Sequence, residues 1–315
     1  MANGADLPVE YEPRLVEEAV LLAMRDHAEG DFRARRECLY EIADAEARDA
    51  AFRRFHGAWF ERLGLGRGID QALWERPSIG VAVRTCLVAC ASSDRQEGAE
   101  LFVRPAGEVG SDADRRSVVI RLQPSMLLKP ARLAEFLRHE LLHIADMVDP
   151  RFGYEPRLPP SERGPAHEGL LRDRYRVLWD TYVDGRLARL GWAPAGIRAA
   201  RLGEFTRAFP MLGEGPGAVF ERFFSAATHR HADLLAFAVE PESALDCSSG
   251  GRPPGARCPL CRFPTHAFEP EPDRLPSAVQ QQIRNDFPEW NPAGGLCLQC
   301  ADLYRARTAP TLPRG

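Results

Sequence analysis

The sequence predicts an α+β protein in three parts, and three observations carry that reading. Apolar residues recur at three- and four-residue intervals over residues 12–63 and again after residue 130, the period of a helix. Between them lie short stretches rich in β-branched residues, and two Cys-x-x-Cys pairs stand near the end of the chain. The parts are a helical section at 1–73, a core with a small sheet and a long helix at 74–245, and a linker with a cysteine module at 246–315.

A chain of 315 residues, 44% hydrophobic and 27% charged, is long enough to bury at least one substantial core. Its net charge of −4 speaks against the broad basic surface of a nucleic-acid binder. Met1 to Glu18 lacks a basic stretch ahead of its first apolar residues, and no apolar run reaches the ~18 residues of a membrane span. The expectation is a cytoplasmic protein with no membrane partner. Eight cysteines are too few for a disulfide scaffold in a chain this long, so the paired ones point to metal.

In the first section Leu15, Ala19, Leu22, Phe52, Phe55 and Trp59 mark the helical stripe. Gly64-Leu65-Gly66-Arg67-Gly68 reads as a plain loop, since it follows a helix and lacks the Lys-Ser/Thr ending of a phosphate loop. Strands are expected at Val81–Ala91, Glu100–Arg104 and Ser117–Gln123, the last as a sheet edge. Pro130 suits the first turn of a helix running to Val148, with Leu133, Leu137, Leu141, Ile144 and Val148 on one stripe. Proline and glycine make 150–166 a loop, and further helices are expected at Glu168–Leu190 and from Ala195 to Val239. Ser248–Gly255 reads as a linker. Cys38, Cys86 and Cys90 read as buried small hydrophobes, His229 and His231 as surface residues, and Cys247 has no assigned role.

The long helix carries His139-Glu140-Leu141-Leu142-His143. Residues four apart share a helix face with Cβ atoms ~5–6 Å apart, so both imidazoles can converge on one ion. Zinc suits neutral imidazole nitrogens at ~2.0–2.1 Å and lowers the pKa of a bound water to about 7. Glu140, on the neighbouring side, is placed to accept that water's proton and pass it to a leaving amine. A catalytic zinc needs a third protein ligand. Asp180 and Asp184 lie one turn apart in an otherwise apolar and aromatic stretch, where carboxylates need partners such as a metal or a ligating histidine.

The order of strand and helix, with His139, Glu140 and His143, resembles the zincin metallopeptidases over roughly Ile79 to Leu190. The resemblance implies a zincin-like core, a protein or peptide substrate held extended along an edge strand, and Glu140 as general base. The spacing of Asp180 and Asp184 resembles the gluzincin branch, which implies Asp180 as third ligand and Asp184 as the residue that orients a histidine. Asp180 stands where that branch has the longer glutamate, so the helices must approach more closely, and Gly185 offers a route to that. Three alternatives stay open for the third ligand, and of these Asp146, on the histidine face of the same helix, fits better as a residue that orients a histidine or caps local charge. Asp149 stands at the metzincin spacing, although Asp146 replaces that branch's glycine. His167, taken with the cysteine module, resembles the SprT-like proteases, which join a zincin core to a zinc ribbon and cleave DNA-bound proteins. Tyr175 and Tyr182 fit the helix's apolar stripe and read as core residues.

Cys258, Cys261, Cys297 and Cys300 form two knuckles that complete a tetrahedral thiolate site resembling a zinc ribbon. With four thiolates no position is left for water, so this zinc is expected to be structural. Two zinc ions follow, one catalytic and one structural. The expected activity is that of a zinc metallopeptidase. The alternative is a non-catalytic zincin-like binding protein whose ribbon recognises a protein or nucleic acid, helped by arginines between Arg252 and Arg262 and by Arg305 and Arg307.

Overall fold

A computed structural model describes residues 7–25, 30–104, 111–158, 164–213, 215–241, 256–265, 268–269 and 271–308. Cys247, Arg252 and the expected linker Ser248–Gly255 lie outside the described residues. The architecture is α+β, with twelve helices and a four-stranded mixed sheet among the described residues.

The chain enters through β1 (Val9–Tyr11) and passes into α1 (Pro13–Arg25), α2 (Gly30–Cys38), α3 (Ala45–Arg62), α4 (Arg67–Trp74) and α5 (Pro77–Ala82). Asp44 caps α3 by accepting the Ala47 amide at 2.7 Å. Strands β2 (Thr85–Cys90), β3 (Gly98–Val103) and β4 (Arg116–Leu122) complete the sheet. The spatial order is β1-β2-β4-β3, with β1 and β4 parallel to β2 and β3 antiparallel to β4.

Two expectations are corrected here. The segment at 117–123 is an interior strand, because β3 pairs on its far side and itself forms the edge. Val81 and Ala82 are helical: Pro77 opens α5, and the Val83 amide still reaches Ile79 O at 3.0 Å.

One core joins both sides of residue 73. Leu15, Val20, Trp59 and Ile69 from the first helices pack with Cys86, Val118 and Ile120 of the sheet and with Leu133, Leu137, Leu141 and Ile144 of α6 (Pro130–Val148). Full burial of each such aliphatic side chain contributes roughly 1.5–3 kcal/mol. Gly68 brings α4 against α6, since a Cβ there would stand 2.8 Å from Leu133. The bounds of α6 are those the proline and the apolar stripe predict.

A second core is built from α7 (Pro165–Arg189), α8 (Ile197–Ala208), α9 (Pro216–Phe224) and α10 (His231–Val239) around Phe205, Phe209, Phe220, Phe223 and Phe237. Leu142 of α6 belongs to it, so α6 forms a wall shared by the two cores. Gly185 does permit a close approach, but of α9: a Cβ there would fall 1.9 Å from Phe224 O. The expected role in bringing α7 toward α6 is not the one it serves.

The last described region has its own small core of Leu260, Leu275, Val279, Ile283, Trp290, Leu296 and Tyr304. It is built on the two-residue strands β5 (Ala256–Arg257) and β6 (Pro264–Thr265) and the helices α11 (Ser277–Asp286) and α12 (Leu298–Thr308). Helices therefore outweigh strands in it, a departure from a ribbon.

Candidate metal centres

On α6 the rings of His139 and His143 lie 4.9 Å apart, with their Nε2 atoms separated by 3.2 Å. Asp180 of α7 brings Oδ1 to 3.2 Å from His143 Nε2 and 3.7 Å from His139 Nε2. A tetrahedral ion with ~2.0–2.1 Å bonds requires donor separations of about 3.3–3.4 Å, so these atoms already stand near the corners of such a site. The three residues are one of two groups among the described residues that could hold a metal ion. None of the alternative third ligands belongs to it. Asp149 is held by Arg151, whose amide and guanidinium bond its carboxylate. His167 lies in the first turn of α7, 13 residues before Asp180 and hence ~20 Å away along the helix.

Asp184, one turn past Asp180, accepts a hydrogen bond from His139 Nδ1 at 2.8 Å. A carboxylate there fixes the proton on Nδ1 and leaves the Nε2 lone pair for an ion. Both aspartates are buried, and both have a partner that the sequence did not reveal, Arg201 of α8. Its Nε donates to Asp184 Oδ2 at 2.5 Å, and its Nη1 lies 3.5 Å from Asp180 Oδ2. Arg176, one turn before Asp180 on α7, stands 3.7 Å from the same Oδ2. Burial alone would push the Asp180 carboxyl up, but the hydrogen bonds of His139 and His143 and the charge of Arg201 hold it far below the carboxylate range. Asp184 is lowered in the same way, against burial, by His139 and Arg201. Burial would lower His139, yet its bonds to Asp180 and Asp184 raise it to about 9. A proton thus occupies a place whose surroundings favour positive charge.

This shift makes a prediction for the protein stripped of metal. Unfolded, His139 releases its proton near pH 6.5; folded, it keeps it to about 9. Because the folded value is the higher one, the stabilisation is complete below about pH 6.5 and is lost as pH rises through about 9. Urea midpoints of the metal-free chain should fall across that window more steeply than those of His139→Gln. Parallel profiles would contradict the assignment.

Glu140 is not part of the donor group. Its Oε2 accepts the amide proton of Ala99 on β3 at 3.0 Å, while Oε1 takes no hydrogen bond from a described residue. Because antiparallel pairing alternates, the outward face of Ala99 implies that the backbones of Leu101 and Val103 also face away from β4. His143 is wedged edge-on against Trp179, ring centres 4.5 Å apart. Trp179 is fixed in turn by donating to Asp146 at 2.8 Å, and Arg186 closes on both oxygens of Asp146.

No family model matches the chain, and searches of curated proteins and of solved structures found nothing similar. The geometry must therefore carry the functional reading.

Tyr175 and Tyr182 are core residues as expected: Tyr175 Oη meets His231 Nδ1 at 2.6 Å, and Tyr182 Oη accepts the His229 amide at 3.1 Å. His231 is a correction, since it is 3% exposed and packs among Phe152, Tyr154 and Tyr175. Cys38 is exposed rather than buried, Cys86 is buried and Cys90 half-buried.

The four cysteines form the second group. Cys258 and Cys300 sulfurs lie 3.9 Å apart, as do those of Cys261 and Cys297. Zinc–sulfur bonds of ~2.3 Å give tetrahedral edges of about 3.8 Å, so the set fits one ion. The Cys297 amide donates to Cys258 Sγ, and the Cys300 amide to Cys297 Sγ, both at 3.4 Å. Burial pushes the Cys258 thiol up, but amide hydrogen bonds from Cys261, Cys297 and Leu260 outweigh it and bring it down to about 7. Arg262, the one non-glycine at positive φ (64°) among the described residues, closes the first knuckle. The tail arginines are spoken for: Arg305 pairs with Glu269 and Asp302, and Arg307 with Asp286. No described helix is long and apolar enough to cross a membrane.

Proposed function

We propose that the chain is a zinc-dependent metallopeptidase of the zincin kind, with His139, His143 and Asp180 as the ligands of a catalytic zinc and the four cysteines as the ligands of a structural one. The observation that carries this reading is the convergence of three donor atoms at 3.2–3.7 Å with the unligated carboxylate of Glu140 on the adjoining residue. When bound, zinc at this position would polarise the substrate carbonyl and acidify water.

The chain's own residues supply the rest. Glu140, held through Oε2 by the Ala99 amide in the substrate-free chain, takes the proton of the attacking water and returns it to the departing amine nitrogen. Asp184 keeps His139 in the tautomer that offers Nε2. The outward backbone of β3 at Ala99, Leu101 and Val103 accepts an extended peptide by strand addition. Leu101, Phe102, Val103, Met147 and Tyr154, with the charged Glu100 and Arg116, line a cavity of about 550 Å³ beside that edge, which gives room to side chains of such a substrate.

Metal content tests the assignment. The native chain should carry two zinc ions by elemental analysis and Asp180→Ala close to one. One ion in both proteins would leave only the cysteine site and remove the basis for a peptidase.

A further inference from the structure

Each of the two aspartates beside the metal site divides its oxygens in the same way. Asp184 turns Oδ1 to His139 Nδ1 at 2.8 Å and Oδ2 to Arg201 Nε at 2.5 Å. Asp180 turns Oδ1 toward His143 Nε2 at 3.2 Å and Oδ2 toward Arg201 Nη1 at 3.5 Å. One guanidinium on α8 therefore faces the rear oxygens of both carboxylates. It is itself anchored, since Nη1 donates to Glu204 Oε2 at 2.6 Å, and only 16% of its side chain is exposed. Arg176, the other cation near Asp180, is 66% exposed and not restrained in this way.

We infer that Arg201 is a positioning residue: it confines Asp180 to coordination through Oδ1 and keeps the two aspartates assembled before an ion arrives. This rests on the metal site of the preceding section. Two buried carboxylates one helical turn apart repel each other; His139 meets only their Oδ1 atoms, and Arg201 is the cation that faces Oδ2 of both. A carboxylate also has two equivalent oxygens, and if both bound the ion they would fill the position that a catalytic site leaves open. Arg201 removes one from competition. The fork geometry matters, because a guanidinium spans two acceptors while an ammonium is a point charge.

The test uses the full chain after one equivalent of zinc has filled the cysteine site, judged by the loss of four reactive thiols. Cobalt(II) is then titrated into the second site of the native protein, Arg201→Met and Arg201→Lys, with affinity and visible spectrum as readouts. Arg201→Met should bind cobalt ~10–100-fold more weakly. Its spectrum should lose the intensity of a four-coordinate ion as the second oxygen of Asp180 joins. Arg201→Lys should recover affinity in part without restoring the spectrum. Native affinity and spectrum in Arg201→Met would overturn the inference. Weaker binding with an unchanged spectrum in both variants would show mere loosening and overturn the one-oxygen role. Failure of the native chain to bind a second ion would overturn the metal site itself, a result distinct from the other two.

Discussion

Glu140→Gln is expected to lower peptide-bond hydrolysis by about 10²–10⁴-fold with both metal ions retained. Glutamine has the same length, and its carbonyl oxygen can still accept the Ala99 amide, so the α6–β3 contact survives. Its amide cannot take a proton from water at neutral pH. Since Glu140 is outside the donor group, zinc per chain should stay unchanged, which separates loss of chemistry from loss of the site. Cleavage of an unfolded protein substrate, measured beside elemental zinc, decides the matter. Undiminished cleavage by the variant would sink the proton-transfer role.

The second large effect concerns the cysteine module. Cys258→Ser should remove one metal ion per chain and unfold the module built on β5, β6, α11 and α12. The core there is a handful of side chains, and the strands are two residues each. Structural zinc contributes ~10–16 kcal/mol to folding in isolated finger peptides, far more than so small a core can replace. Hydrogen exchange should become fast in α11 and α12 while the amides of α6 and α7 keep their protection. Slow exchange in α11 and α12 of the variant would show that the module holds without its ion.

The parts of this structure that were legible in the sequence are those written in local spacing. Pro130 and a five-residue apolar stripe delimit α6, and the positions of His139, His143, Asp180 and Asp184 each follow from one-turn intervals that a helix converts into a shared face. What stayed hidden depends on pairing between distant segments. β1 has three residues, too few for a pattern, and owes its existence to β2. The edge position of β3 is decided by strand order, which no stretch of sequence records. Arg201 lies on a helix whose composition shows nothing unusual, and only the crossing of α7 and α8 gives it two aspartates. His231 reads as a surface residue because the sequence offers it no partner set, whereas its burial comes from aromatic residues far away in the chain.

The bond between Glu140 and Ala99 has a consequence for solubility. A row of outward amides on an exposed strand is a template on which a second copy of the chain can pair, and proteins commonly blunt it with charge. In β3 the first of those amides is covered by the Glu140 carboxylate, and Glu100 and Arg121 place a further ion pair at 2.5 Å across β3 and β4. The same carboxylate therefore acts as a gatekeeper against self-association. In the proposed peptidase a substrate strand would have to displace it to pair fully with the edge, so docking on β3 and release of Glu140 would be a single event.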